Sequence, residues 1–131
     1  MNIKEELVQK GYSILASNGY NSCDTGIKPI VDRLNENIAY FAGLTVADKV
    51  VGKASAVLLV KSNVKEVYAL VLSKSGKEIL DKYNIIYHYD ELTDYIINRK
   101  KTGMCPMEEA IKDIDDLDEC YKVLMNKVTN I

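Results

Sequence analysis

Three stretches of this chain carry side chains whose types and spacing suit chemistry. The first is Thr45-Val46-Ala47-Asp48-Lys49-Val50-Val51-Gly52-Lys53-Ala54-Ser55-Ala56. Read as the opening of a helix running from Thr45 to about Val60, it pairs Thr45 with Asp48 as a capping box, each side chain bonding the other's backbone N–H. Lys49 and Lys53, four apart, then share one face. A helix start that adds two cations to its free N–H groups is a place for an anion. The ordinary reading of the same residues is a cap and two solvated lysines. Gly52 inside such a helix costs about 1 kcal/mol relative to alanine. With Ser55 and Ala56 it makes a small-residue face, expected to pack closely against a sheet.

The second stretch is Gly103-Met104-Cys105-Pro106-Met107-Glu108-Glu109. Pro106 suits the first position of a helix, which puts Cys105 at the N-cap and Glu108 at the third helical position. Free N–H groups beside a thiol lower its pKa, while Glu108 and Glu109 oppose them, so Cys105 is expected to be modestly activated at most. The third is the basic run Asn98-Arg99-Lys100-Lys101 just before it, either a solvated loop or an anion-contacting one. The single histidine, His88, lies between two tyrosines in a strand-like segment and reads as a surface or partly buried residue. Asp113, Asp115, Asp116 and Asp118 lack the glycine and twelfth-position glutamate of a calcium loop and read as helix caps.

The whole chain sets the bounds. Its 131 residues, 47% apolar and 27% charged with a net charge of −2, suit one domain of residues 1–131 with a real core. That charge offers nucleic acid or an anionic membrane no general attraction. The apolar run Ala54–Val60 is far shorter than the roughly 18 residues of a membrane span. The start Met1-Asn2-Ile3-Lys4-Glu5-Glu6 has no signal-peptide pattern, so a cytoplasmic protein is expected. Cys23, Cys105 and Cys120 are odd in number and widely spaced, with no Cys-x-x-Cys and only one histidine, which argues for reduced thiols and against a Cys/His zinc site. No metal and no cofactor are expected.

Periodicity supplies the elements that must position these groups. Ile3 to Lys10 reads as a short helix closed by Gly11. Tyr12–Ser17 and Tyr20–Cys23 flank Asn18-Gly19 as a hairpin with a type I′ turn. Pro29 opens a helix to about Asn35. Val64–Leu72 is a buried strand, Ser73 begins a helix to about Tyr83, and residues 85–89 form a second short strand. Leu92–Asn98 reads as a helical turn, Pro106 opens a helix to about Ile114, and Asp116 with Glu119 caps a last helix carrying Leu117, Cys120, Tyr121, Leu124 and Val128. The order αββααβαβ followed by helices predicts an α/β domain. Its sheet is mixed, with a leading antiparallel hairpin and helices on both faces.

Taken together, Gly26-Ile27-Lys28-Pro29, Thr45 through Ala54, Tyr95-Ile96-Ile97-Asn98-Arg99 and Gly103 through Glu108 resemble a family of uncharacterised prokaryotic proteins. These are filed as a domain of unknown function with a cytidine-deaminase-like fold. The resemblance runs from about Tyr12 to Leu124 and implies a three-layer α/β/α domain. It does not bring deaminase activity. A zinc deaminase needs His (or Cys)-x-Glu at one helix start and Pro-Cys-x-x-Cys at the next, where this chain has Ala47-Asp48-Lys49 and Ser73-Lys74-Ser75-Gly76. The topology so implied gathers Thr45, Asp48, Lys49, Lys53 and Ser73 at the strand ends, with Asn98, Arg99 and Cys105 added by the C-terminal segment. The expected ligand is a small anionic or nucleotide-like molecule. A binding module is preferred narrowly over an enzyme using Asp48 or Cys105 in the same pocket. A structural or oligomerising domain is the third reading, and a homodimer through an exposed sheet edge fits any of them.

Overall fold

The computed structural model describes residues 2–97 and 103–129. Helix α1 (Ile3–Lys10) starts at Asn2, whose side chain accepts the Glu5 N–H, and ends at Gly11 with φ +69°. Strands β1 (Ile14–Ala16) and β2 (Asn21–Ser22) form the expected hairpin. Its turn is not type I′, because Asn18 keeps a negative φ and only Gly19 is left-handed. Gly19 N–H donates to Ala16 O and Ala16 N–H to Tyr20 O, the three-residue loop in which a type I turn is followed by a left-handed glycine. Helix α2 (Lys28–Glu36) follows, with Pro29 in its first turn.

The largest departure from expectation lies at residues 45–60. Thr45–Val51 is strand β3, and the helix α3 begins only at Lys53, running to Lys61. Thr45, Val46, Val50 and Val51 are β-branched and stiff at χ1, which favours a pleated surface. β3 lies in the middle of the sheet, antiparallel to β1 and parallel to β4 (Glu66–Ser73). There is therefore no capping box at Thr45. Its hydroxyl instead donates to Glu66 Oε1 at 3.4 Å. Gly52 is the N-cap of α3 rather than an interior helix residue, and Lys49 and Lys53 share no helix face.

Helix α4 (Lys74–Lys82) starts at Ser73 as expected, and β5 (Ile86–Thr93) pairs parallel with β4. β5 takes in Leu92 and Thr93, the first two residues of the expected helical turn, Leu92 pairing with Leu72, and residues 94–97 form no helix. Helices α5 (Pro106–Ile111) and α6 (Leu117–Thr129) complete the chain. The result is a mixed five-stranded sheet, ordered β2-β1-β3-β4-β5 and flanked by helices. The main core joins Ile14, Val46, Val67 and Ala69 of one sheet face to the apolar sides of α2 to α6. Among the described residues the other face is covered by α1, through Leu7 packed on Leu15 and Ala47. The β3-α3-β4 and β4-α4-β5 units each join parallel neighbours, and α3 packs against α4, so the two helices share one side of the sheet. Among the described residues, no helix is long and apolar enough to cross a membrane.

Candidate functional site

A cleft of about 710 Å³ opens at the end of β3 where the chain turns into α3. Four segments wall it: Asp48-Lys49-Val50 of β3, Thr25-Gly26-Ile27 leading into α2, the α3 start at Gly52, Ala54 and Ser55, and Cys105–Glu108 at the start of α5. Ile14, Ile96, Ile97 and Met107 make much of its surface apolar. Both the size and the balance of apolar wall to few polar groups are those of small-molecule sites.

Asp48 is its most unusual group. Alternation along β3 turns it to the same face as buried Val46, towards α2 and α3, and leaves the residue only 8% exposed. Its Oδ1 accepts the Val50 N–H at 3.2 Å. Burial pushes the carboxyl pKa up to about 8, against the opposing pull of the Val50 and Lys49 N–H groups. The protonated form therefore dominates at pH 7, and the cleft holds a neutral acid able to donate as well as accept a hydrogen bond. Lys49 is exposed at the rim, its N–H bonded to Ser13 O. Cys105, half-buried, is the N-cap of α5; its side chain makes no cap bond, and its N–H donates to Ile96 O at 2.8 Å. Asp48, Lys49 and Cys105 thus line one cleft, although the first two arrive on a strand.

The helix start expected at Thr45 lies instead at Lys53, and it is already filled from within. Glu108 Oε1 accepts the Lys53 N–H and Oε2 the Ala54 N–H, both at 2.7 Å. Burial pushes the Glu108 pKa up, while those two N–H groups and the nearby Lys53 ammonium pull it back. The close approach requires a glycine at position 52, because a Cβ there would overlap Glu108 Oε1. Sequence reasoning placed Glu108 only as a neighbour of Cys105. The trace it left was Gly52, which marks a close approach without naming what approaches.

The remaining expected residues lie elsewhere. Lys53 is buried, and its Nζ donates to Ile111 O and Ile114 O at 2.8 Å, capping the end of α5. It borders a separate hollow of about 390 Å³. Ser73 is buried and accepts the Gly76 N–H, capping α4. Thr45 sits at the opposite end of β3 from the cleft. Asn98 and Arg99 fall outside the described residues. Among the described residues no group of three or more His, Cys, Asp or Glu side chains is placed to hold a metal ion.

The family model TM1506, a domain of unknown function (DUF1893), matches residues 2–128. The structure is similar to the crystal structure of a DUF1893 family protein (TM1506) from Thermotoga maritima. The TM-score is 0.84 and the identity 27%, over 97% of this chain and 86% of that one. No curated protein matches the chain. The chain belongs to the DUF1893 family.

Proposed function

Given that this chain is a DUF1893 domain, we propose that it binds a small molecule in the Asp48 cleft. One observation carries the reading: a buried carboxyl, its pKa pushed up to about 8 by burial, faces a cleft of ligand size with largely apolar walls. A neutral acid offers a donor and an acceptor side by side, which matches the amide-like edge of a nucleobase or similar heterocycle. An anionic ligand is less well served than the sequence suggested. Glu108 occupies the α3 N–H groups and Lys53 is turned into α5, so an anionic substituent would meet Lys49 at the rim. The favoured ligand is nucleotide-like in its base.

The finer fold assignment belongs to the same reading. A leading antiparallel hairpin, three parallel strands and helix starts gathered at the strand ends support a cytidine-deaminase-like domain. The start of α3 reads Gly52-Lys53-Ala54, not Ala47-Asp48-Lys49. It carries no histidine, cysteine or glutamate in the deaminase pattern, which supports a binding site worked by Asp48 instead. A cytoplasmic setting is part of the proposal, supported by three free thiols among the described residues.

The test is a thermal-shift screen with nucleobases, nucleosides and nucleotides, on the parent and on Asp48→Val. A ligand at a hundred times its Kd stabilises by about 2.7 kcal/mol. The expected result is a shift with at least one heterocycle that Asp48→Val, which removes both the donor and the acceptor, reduces tenfold or more in affinity. No shift with any of them, or shifts indifferent to position 48, would reject the proposal. One observation also favours an enzyme: a carboxyl with a pKa of about 8 in a cleft is poised to donate or accept a proton near neutral pH. Turnover of a bound heterocycle lost in Asp48→Asn, or in Cys105→Ser, would establish that second reading.

A further inference from the structure

β5 is an edge strand that is left unusually bare. Parallel strands are normally buried on both faces, yet six of its eight residues are exposed. Ile86 is 58% exposed, Tyr89 40% and Leu92 38%. A long edge with apolar side chains is a template for another strand unless something blunts it. No proline or lysine stands in Ile86–Thr93, and its two charges of one sign, Asp90 and Glu91, have a histidine close by.

The order of side chains along β5 is complementary to itself when reversed about Tyr89. Alternation places Ile86, His88, Asp90 and Leu92 on the face that α1 shares, as the stacking of His88 on Tyr68 shows. Tyr87, Tyr89 and Glu91 take the other face. A two-fold axis normal to the sheet at Tyr89 preserves those faces. It sets Ile86 opposite Leu92 of the second copy, His88 opposite its Asp90, and Tyr89 opposite Tyr89. Each apolar Ile86 then meets Leu92, each imidazole meets a carboxylate, and Tyr87 meets Glu91, and such cross-strand pairs are the unit of stabilisation between strands. The neighbouring registers fail. An axis at His88 sets Asp90 against Ile86, and an axis at Asp90 sets two Asp90 carboxylates together. The existing contacts extend the match, since Glu66 holds His88 at 2.8 Å and Lys4 holds Asp90 at 2.9 Å. Each junction would run Glu66, His88, Asp90 and Lys4.

We propose that β5 pairs antiparallel with β5 of a second copy of this chain, in the register centred on Tyr89, to give a ten-stranded sheet. One strand edge covers less than the roughly 1,600 Å² of a standard interface, so the dimer is of micromolar strength and depends on concentration. The cleft lies beyond β3, away from β5, and plays no part in the pairing.

Sedimentation velocity on the whole chain, across a wide micromolar range, tests this. The expected result is a monomer–dimer equilibrium. Ile86→Lys alone and Leu92→Glu alone should each weaken it by about tenfold or more, counting two affected pairs per dimer. The double variant should recover it, because the new lysine and glutamate face each other. Tyr89→Cys in a Cys23→Ser background should form a covalent dimer on oxidation, as opposed strand residues lie within disulfide reach. His88→Cys should not. A monomer at every concentration overturns the proposal, and so does a dimer indifferent to the substitutions at positions 86 and 92.

Discussion

Replacing Asp48 by asparagine should stabilise this protein, and more so as the pH rises. In the unfolded chain the carboxyl titrates near 3.8, and in the folded protein near 8. Between those values the folded state keeps a proton that the unfolded state has released. Stability therefore falls with rising pH across that window, by up to about 1.4 kcal/mol per pH unit, and levels off above 8. At pH 7 the accumulated cost is roughly 4 kcal/mol, an upper figure because water entering the cleft would ease it. Asparagine has nearly the same shape, keeps an oxygen for the Val50 N–H and carries no charge at any pH. The variant should match the parent within about 1 kcal/mol near pH 4 and exceed it by at least 2 kcal/mol at pH 8, roughly 6 °C in Tm for a domain of this size. Urea unfolding of both proteins from pH 4 to 9 measures the difference, in which other titrating groups, Glu108 among them, cancel. Parallel pH curves for the two proteins, or a variant less stable at pH 8, would refute the assignment of a buried protonated acid at position 48.

Gly52→Ala should destabilise by about 2–4 kcal/mol, because its methyl drives Glu108 from the α3 N–H groups. Glu108→Ala should cost a similar amount, and the two losses should fall well short of adding in the double variant, as chemical denaturation of all four proteins would show. Lys53→Met should cost about 2–3 kcal/mol by leaving the Ile111 and Ile114 carbonyls without their donor, again read by denaturation. Alkylation followed by mass spectrometry should label Cys23 readily and Cys120 only on unfolding. A ligand seated in the cleft should slow labelling of Cys105 while leaving Cys23 unchanged.

Most elements were legible because each carried its own punctuation. Gly11 closes α1, Pro29 and Pro106 open α2 and α5, and Ser73 caps α4, all from local chemistry that tertiary packing did not overrule. Residues 45–60 were misread because two local patterns agreed on the wrong answer. Thr45-x-x-Asp48 imitates a capping box, and Lys49 with Lys53 imitates one helix face. The β-branched pairs Thr45-Val46 and Val50-Val51 argued for a strand, and only pairing with β1 and β4 decided between them. The end of β5 was missed for a different reason. An edge strand with exposed faces shows no buried alternation, so Asp90-Glu91-Leu92-Thr93 reads as a loop or helix start. The site was half legible for the same cause. Asp48, Lys49 and Cys105 reach one cleft, whereas the error at β3 hid that Lys53 leaves it. Glu108 binds across 54 and 55 positions of sequence, a separation at which spacing carries no signal.

The two buried carboxyls divide the electrostatic work at this end of the sheet. Glu108 meets two N–H groups of a helix start with both oxygens and has Lys53 nearby, so its surroundings partly offset its burial. Asp48 receives only the Val50 and Lys49 N–H groups, with burial the larger influence. Glu108 fills the positive end of α3 that could otherwise have drawn an anion or helped to ionise a carboxyl in the cleft. With that helix end filled, burial is the influence that raises the Asp48 pKa. The same reasoning links the two in a way that can be measured. Glu108→Gln removes one negative charge beside the cleft and keeps an acceptor at the helix start. Carbon-13 NMR titration of the Asp48 carboxyl should then show its pKa fall from about 8, because less negative charge opposes its ionisation. A pKa that stays put or rises would show that burial alone sets the acid's state, and that Glu108 serves α3 without reaching the cleft.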